Sequence, residues 1–374
     1  MNILIKPSSS SCNMRCKYCF YFDETENRSV ENYGFMTDAT ATALVKKSLE
    51  AAKDFLVIGF QGGEPTLIGL PFYKRFIEKV NKYNKRNIRV TFCIQTNGFA
   101  INDDWAKFFK ENNFLVGLSI DGTKEIHNSY RFSCSGKPSY DKVFHAHELF
   151  KQYGVEYNVL TVVTSKIAKN AKEVYRNFIS NGLYYHQYIP CIDFISEERG
   201  LNDFSLTPAL YSEFLINVFK CWYNDIMNNR MVSVRYFDNI LSMLLGRMPE
   251  ACGMSGICSN QYVVEADGAI YPCDFYMLDE YKLGNINTDS YQDLDNKRKE
   301  LNFIGKSCHI DPECRACKYL QICRGGCRRD RDDFTSETLH KNYFCQSFKD
   351  FFDYSLPFFQ NILNKIYEEQ RRRR

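Results

Sequence analysis

Cys12-Asn13-Met14-Arg15-Cys16-Lys17-Tyr18-Cys19 is a CxxxCxxC run that comes soon after a short apolar stretch, Asn2-Ile3-Leu4-Ile5. The stretch reads as a first β-strand, which puts the three thiols near its carboxyl end. A zinc site would need a fourth ligand here, and the first histidine of the chain is His127. A cubic four-iron cluster normally takes one thiolate at each of its four corners. Three cysteines leave one iron open, much as a catalytic zinc keeps one position free. An open iron can bind and reduce a small molecule.

Outward from this run, β-rich stretches alternate with amphipathic stretches of helical length. Strands are expected at 2–5, 55–61, 88–96, 114–121, 156–164 and 184–192, and helices at 38–52, 70–84, 103–112, 140–153 and 171–181. Six such alternations predict parallel βαβ units, with a sheet covered on both faces. They are too few to close an eight-fold barrel, so the expected fold is an α/β partial barrel of six strands. Ligands of such folds gather at the carboxyl ends of strands. Thr207-Pro208 is a cap and first turn for a long helix reaching about Met227.

After Pro249 the alternation stops and cysteines become dense. Cys252, Cys258 and Cys273 are spaced C-x5-C-x14-C, and Cys314, Cys317, Cys323, Cys327 and Cys345 follow as C-x2-C-x5-C-x3-C-x17-C. Eight cysteines fill two cubes, although spacing alone also admits two tetrahedral zincs. Residues 261–265 and 269–271, joined by Asp267-Gly268, read as a β-hairpin. Residues 306–329 lack apolar periodicity, so metal is expected to hold them, and 348–367 read as a closing helix. Cys93, Cys134, Cys191, Cys221 and Cys308 stay unassigned and are expected to be buried thiols.

Lys and Arg number 48 against 45 Asp and Glu, a net charge of +3, so no basic field points to nucleic acid. No apolar run approaches the roughly 18 residues of a membrane span, and no export signal opens the chain. Sixteen cysteines without such a signal read as metal ligands and thiols, and a cytoplasmic protein is expected.

The CxxxCxxC with Tyr18 before its last cysteine resembles the signature of the radical S-adenosylmethionine superfamily. Gln61-Gly62-Gly63-Glu64-Pro65 resembles the superfamily's GGE motif at the end of strand two, which holds the methionine amino group. The resemblance implies S-adenosylmethionine as cofactor on the open cluster, with contacts from Tyr18, Gly63, Glu64, Ser119 and Arg131, and an adenine contact from Ile192. Arginine suits the cofactor's carboxylate because its planar fork donates two parallel hydrogen bonds. The late cysteines resemble the SPASM extension. That resemblance assigns Cys252, Cys258, Cys273 and Cys327 to a first auxiliary cluster and Cys314, Cys317, Cys323 and Cys345 to a second, making three [4Fe–4S] clusters in all. The implied divisions are a radical barrel at 1–228, a connection at 229–250, the SPASM region at 251–347, and a closing helix with a basic tail at 348–374.

Further matches narrow the resemblance to anaerobic sulfatase-maturating enzymes, chiefly the cysteine type. They are Cys16-Lys17-Tyr18-Cys19-Phe20-Tyr21, Gln95-Thr96-Asn97-Gly98, Val116-Gly117-Leu118-Ser119 with Asp121-Gly122, Ser-Val-Arg-Tyr-Phe-Asp at 233–238, Tyr271-Pro272-Cys273-Asp274-Phe275-Tyr276, and Gly325-Gly326-Cys327-Arg328-Arg329. This implies that a 5′-deoxyadenosyl radical takes a hydrogen atom from the β-carbon of a cysteine, or of a serine, in an unfolded sulfatase segment Cys/Ser-x-Pro-x-Arg. Asp274 is implied as the catalytic base, an electron leaves through the auxiliary clusters, and Cα-formylglycine results. Buried beside Phe275 and Tyr276, that carboxylate would be a better base through desolvation. Arg235 is a candidate peptide contact, and an external donor such as ferredoxin or flavodoxin is implied. Two rivals remain: a radical enzyme forming thioether or carbon–carbon links in a peptide, and a non-catalytic metal-binding electron-transfer module.

Overall fold

The computed structural model describes residues 1–195, 197–336 and 338–373; Arg374 of the basic tail lies outside them. Ten strands follow in chain order. They are β1 (Asn2–Ile5), β2 (Phe55–Phe60), β3 (Arg89–Thr96), β4 (Leu115–Ser119), β5 (Glu156–Val163), β6 (Tyr185–Pro190), β7 (Ser233–Val234), β8 (Tyr262–Val264), β9 (Ala269–Tyr271) and β10 (Gly284–Asn285). The six expected strands are all present, β1 over its full expected length and the others trimmed by one to three residues. The five expected helices are present too, as Asp38–Ala51, Leu70–Tyr83, Asp103–Glu111, Tyr140–Tyr153 and Ala171–Ser180.

Residues 1–120, 127–158 and 259–304 form one compact unit, and 121–126, 159–258 and 305–374 the other. In the first, β1 to β4 are neighbours in chain order, and β1–β2, β2–β3 and β3–β4 pair in parallel. A doubly wound sheet would reverse its order near the middle; sequential order is that of a barrel wall. The expected hairpin forms, with Val263 opposite Tyr271 and Val264 opposite Ile270. Its first strand then docks in parallel on β1, Ile5 against Val264. Composition carried no signal for that docking, and it brings Cys273 and Asp274, just past β9, to the end of β1. Beneath lies a core of Tyr21, Val263, Ala269, Tyr271 and Met277.

In the second unit, β5, β6 and β7 pair in parallel in that order. The long helix runs Pro208–Met227, and the Thr207 side chain caps it by accepting from Leu210 N. The connection expected at 229–250 contains β7 and a helix, Arg235–Leu244, whose buried face is Phe237, Asn239 and Ile240. Residues 305–329 hold only short turns of helix, Pro312–Arg315 and Leu320–Cys323 among them. The closing helix, Cys345–Arg373, starts earlier than expected. Among the described residues no helix is long and apolar enough to cross a membrane.

Candidate functional site

The cysteine run is stitched to the segment after helix Lys124–Tyr130. Arg15 N donates to Phe132 O at 2.8 Å and Lys17 N to Tyr130 O at 3.0 Å, and Met14 bridges Ser133. The thiols of Cys16 and Cys19 lie near enough to Cys12 that their charges add to the burial that raises its pKa. Burial likewise raises Cys19, against an opposing pull from Arg131 and Lys6. Protonated apo thiols of this kind lose their protons on binding metal.

The GGE turn packs on the residues just before Cys12. Gly63 N donates to Ser9 O and Glu64 N to Ser11 O, both at 2.8 Å. A Cβ on Gly63 would stand 2.2 Å from Ser11 O, so only glycine allows this approach. Glu64 is fully buried, and burial raises its pKa. Against that, Oε1 accepts from Thr66 N, Thr66 Oγ1 and Thr96 Oγ1, and Oε2 from Asn97 N, at 2.6 to 3.0 Å. Asn97 also donates to Asn13 Oδ1 at 2.8 Å and reaches Cys12 Sγ at 3.6 Å. The organising role of Thr66, Thr96 and Asn97 was not read from the sequence, although the Gln95–Gly98 motif contains two of them.

Arg131 and Tyr18, both expected to touch the cofactor, touch each other: Arg131 Nη1 donates to Tyr18 Oη at 2.9 Å. Ser139 Oγ donates to Arg131 O, and His127 Nε2 lies 3.0 Å from that hydroxyl. Ser119 closes β4 and is buried. Ile192 lies two residues past β6, half-buried in the second unit. The three thiols, the close-packed glycine turn and the buried Arg131 fit an open iron–sulfur cluster and its cofactor in donor type and in packing.

Asp274 departs from its expected apolar surroundings. Its side chain is 15% exposed, with Lys6 Nζ 2.6 Å from Oδ1 and Gln61 Nε2 donating to Oδ2 at 2.7 Å. Phe275 instead turns to Phe20, ring centroids 4.8 Å apart, tying this segment to the cysteine run. Neither Lys6 nor Gln61 stood out in the sequence as a partner of Asp274. The one available signal was a lysine placed directly after a buried strand.

In the second unit, Cys314, Cys317, Cys323 and Cys345 line one cavity with Tyr319 and Phe348. Burial and the charges of the other three thiols push Cys323 up to about 11. Cys327 is raised by burial and by Cys252 and Cys258. The intervening Arg324, Gly325 and Gly326 all have positive φ, 54°, 85° and 73°. This left-handed turn lets Cys323 and Cys327, four residues apart, join different groups. A Cβ on Gly326 would stand 2.4 Å from Asn342 Nδ2. Cys273 belongs to the first unit. Among the described residues no three His, Cys, Asp or Glu side chains meet as a single metal ion's ligands would; a four-iron cube holds its corner thiolates farther apart than one ion does.

Arg235 is committed to Gln187, Nη1 to Oε1 at 2.8 Å. Of the five unassigned cysteines only Cys191 is buried; Cys93 and Cys221 are half-buried, and Cys134 and Cys308 are exposed. The two exposed thiols fall on turns, the half-buried Cys93 and Cys221 lie in β3 and in the helix Pro208–Met227, and the buried Cys191 lies just past β6.

Two family models match the chain, the radical SAM superfamily over residues 7–175 and an iron-sulfur cluster-binding domain over 252–318. A cysteine-type anaerobic sulfatase-maturating enzyme of Clostridium perfringens is 46% identical over 98% of this chain and 99% of the relative. A serine-type counterpart from Bacteroides thetaiotaomicron is 30% identical over 98% of this chain and 92% of the relative. A solved structure, native anSMEcpe with bound AdoMet and Cp18Cys peptide, is 45% identical with a TM-score of 0.93, covering 98% of this chain and 99% of that one.

Proposed function

We propose a residue-level mechanism from one premise: the chain belongs to the cysteine-type anaerobic sulfatase-maturating enzymes, radical S-adenosylmethionine oxidoreductases with the α/β partial-barrel fold and a cluster-binding SPASM extension. Its cofactors are S-adenosylmethionine and iron–sulfur clusters, and its activity is oxidation of a sulfatase cysteine to Cα-formylglycine. When bound, the cofactors supply a 5′-deoxyadenosyl radical that takes a hydrogen atom from the target β-carbon, and iron–sulfur centres that accept the electron left behind. Cys12, Cys16 and Cys19 hold the open cluster. Gly63, Glu64, Ser119, Arg131, Tyr18 and Ile192 serve the cofactor, Tyr18 and Arg131 as one hydrogen-bonded pair. The auxiliary ligands are Cys252, Cys258, Cys273 and Cys327, and Cys314, Cys317, Cys323 and Cys345. The divisions at 228, 250 and 347 are part of this proposal, as is a cytoplasmic location.

Asp274 accepts the proton of the target thiol. Loss of that proton, with the hydrogen atom and one electron, leaves a carbon–sulfur double bond, and water converts it to the aldehyde with release of hydrogen sulfide. A serine gives the aldehyde directly. The observation that carries this reading is the docking of β8 on β1, which sets the Asp274 carboxylate at the end of β1, beside the cysteine run. The substrate is an extended Cys-x-Pro-x-Arg segment held by main-chain hydrogen bonds, with serine in place of cysteine as the second choice, and the reductant is a ferredoxin or flavodoxin.

Matched cysteine and serine peptides, incubated anaerobically and read by mass spectrometry, test the reading. The cysteine peptide should gain the aldehyde faster than the serine one. Asp274→Asn should still cleave cofactor while losing roughly 10²–10⁴ in peptide oxidation. Cofactor cleavage with no aldehyde in either peptide sinks the sulfatase reading, and an Asp274→Asn loss under about threefold removes Asp274 from it.

A further inference from the structure

Lys6 is the first residue after β1, where a chain leaving a buried strand usually turns to solvent. Its side chain is instead wholly buried. Its Nζ lies 2.6 Å from Asp274 Oδ1 and 3.4 Å from the centroid of the Tyr21 ring. A buried ammonium so placed is held by a counter-ion on one side and a π face on the other. Tyr21 is fixed in turn: its hydroxyl donates to Glu265 Oε2 at 2.7 Å, and Glu265 pairs with Arg28 at 2.9 Å, both side chains fully buried.

The second hold on Asp274 comes from the next strand. Ile5 is in register with Phe60, so Lys6 and Gln61 follow side by side at the ends of β1 and β2. Lys6 takes one carboxylate oxygen and Gln61 the other. A buried lysine–aspartate pair adds little to fold stability compared with apolar side chains of the same volume. Packing does not call for a lysine here, and the orientation of a carboxylate does.

We propose that Lys6 is the positioning residue of the base: with Gln61 it fixes the rotamer of Asp274 so that the carboxylate meets the target thiol, and the Tyr21 ring fixes Lys6. This rests on the reading of Asp274 as the base. Lys6 acts through Asp274 and needs no contact with substrate.

The test is a double-mutant cycle on anaerobically reconstituted enzyme, reading formylglycine formed per 5′-deoxyadenosine released. Lys6→Met should lower that ratio about ten- to a hundredfold, the scale of a misplaced catalytic group. Lys6→Arg, which keeps the charge, should recover part of it. In an Asp274→Asn background, adding Lys6→Met should cost nothing further. That double variant leaves no charge unpaired, so it carries the comparison if Lys6→Met alone fails to bind iron. An undiminished ratio in Lys6→Met, or a further loss in the double variant, overturns the role of Lys6 and leaves Asp274 standing. Full formylglycine yield from Asp274→Asn overturns the base assignment, and the role of Lys6 with it.

Discussion

Glu64, Asp274 and His186 are buried or half-buried titratable groups, and the partners of each decide its use. Glu64 is surrounded by donors that keep a carboxylate in place. His186 is a structural case: its Nε2 lies 2.8 Å from Leu183 O and its Nδ1 accepts from Tyr188 Oη at 3.2 Å. Both ring nitrogens are satisfied in the neutral form, and burial, which disfavours the charged ring, pushes its pKa down to about 4. The unfolded chain, with an ordinary value near 6.5, binds the proton first. The stabilisation is therefore complete above about pH 6.5 and is lost as pH falls toward 4, on the order of 3 kcal/mol. Urea midpoints between pH 7 and 4.5 should fall more steeply in the native protein than in His186→Gln; parallel falls would show that His186 does not carry the effect. At this scale the cysteines and Glu64 were legible because their chemistry is local to short motifs. The ion pair of Asp274 was not, since Lys6 and Asp274 are far apart in sequence and meet only through strand pairing.

Strands and helices were legible where period and capping agreed, as at Thr207-Pro208, and the hairpin where Asp267-Gly268 supplied a turn, Gly268 having φ 92°. The docking of that hairpin on β1 was not, because a three-residue strand carries no code for its parallel partner. The helix Arg235–Leu244 has no local marker at its start: it follows the two-residue β7 without a loop, and Val234 at its N-cap offers no side-chain cap. Residues 306–329 have no periodicity to read, and the helices wholly within them, Pro312–Arg315 and Leu320–Cys323, have four residues each. Helices that short do not persist alone, so the thiolate–iron bonds are expected to hold this stretch. Replacing Cys314 and Cys317 by Ala should open it to trypsin at Arg315, Lys318 and Arg324, while the helix Pro208–Met227 stays protected. Equal protection in native and altered protein would show that packing, not metal, orders it.

Across the whole molecule, the motifs that identify the family are spread from Cys12 to Cys345, so membership could be read without any long-range contact. The division into two units, each drawn from three separate segments, follows from long-range contacts and has no local marker. The family resemblance assigns eleven of the cysteines to three metal centres. Eleven cysteines in sets of three, four and four hold about twelve irons if each set carries a four-iron cube. On the proposed assignment the set of three alone has an open corner, so S-adenosylmethionine would bind and be reduced there. Replacing Cys12, Cys16 and Cys19 together by Ala should lower the iron content of reconstituted protein to about eight and abolish cofactor cleavage. The visible absorption of the two remaining clusters should persist. If the triple variant still cleaves cofactor, the open cluster lies elsewhere; if its iron falls to nothing, the auxiliary sets depend on the first and the three centres do not assemble independently.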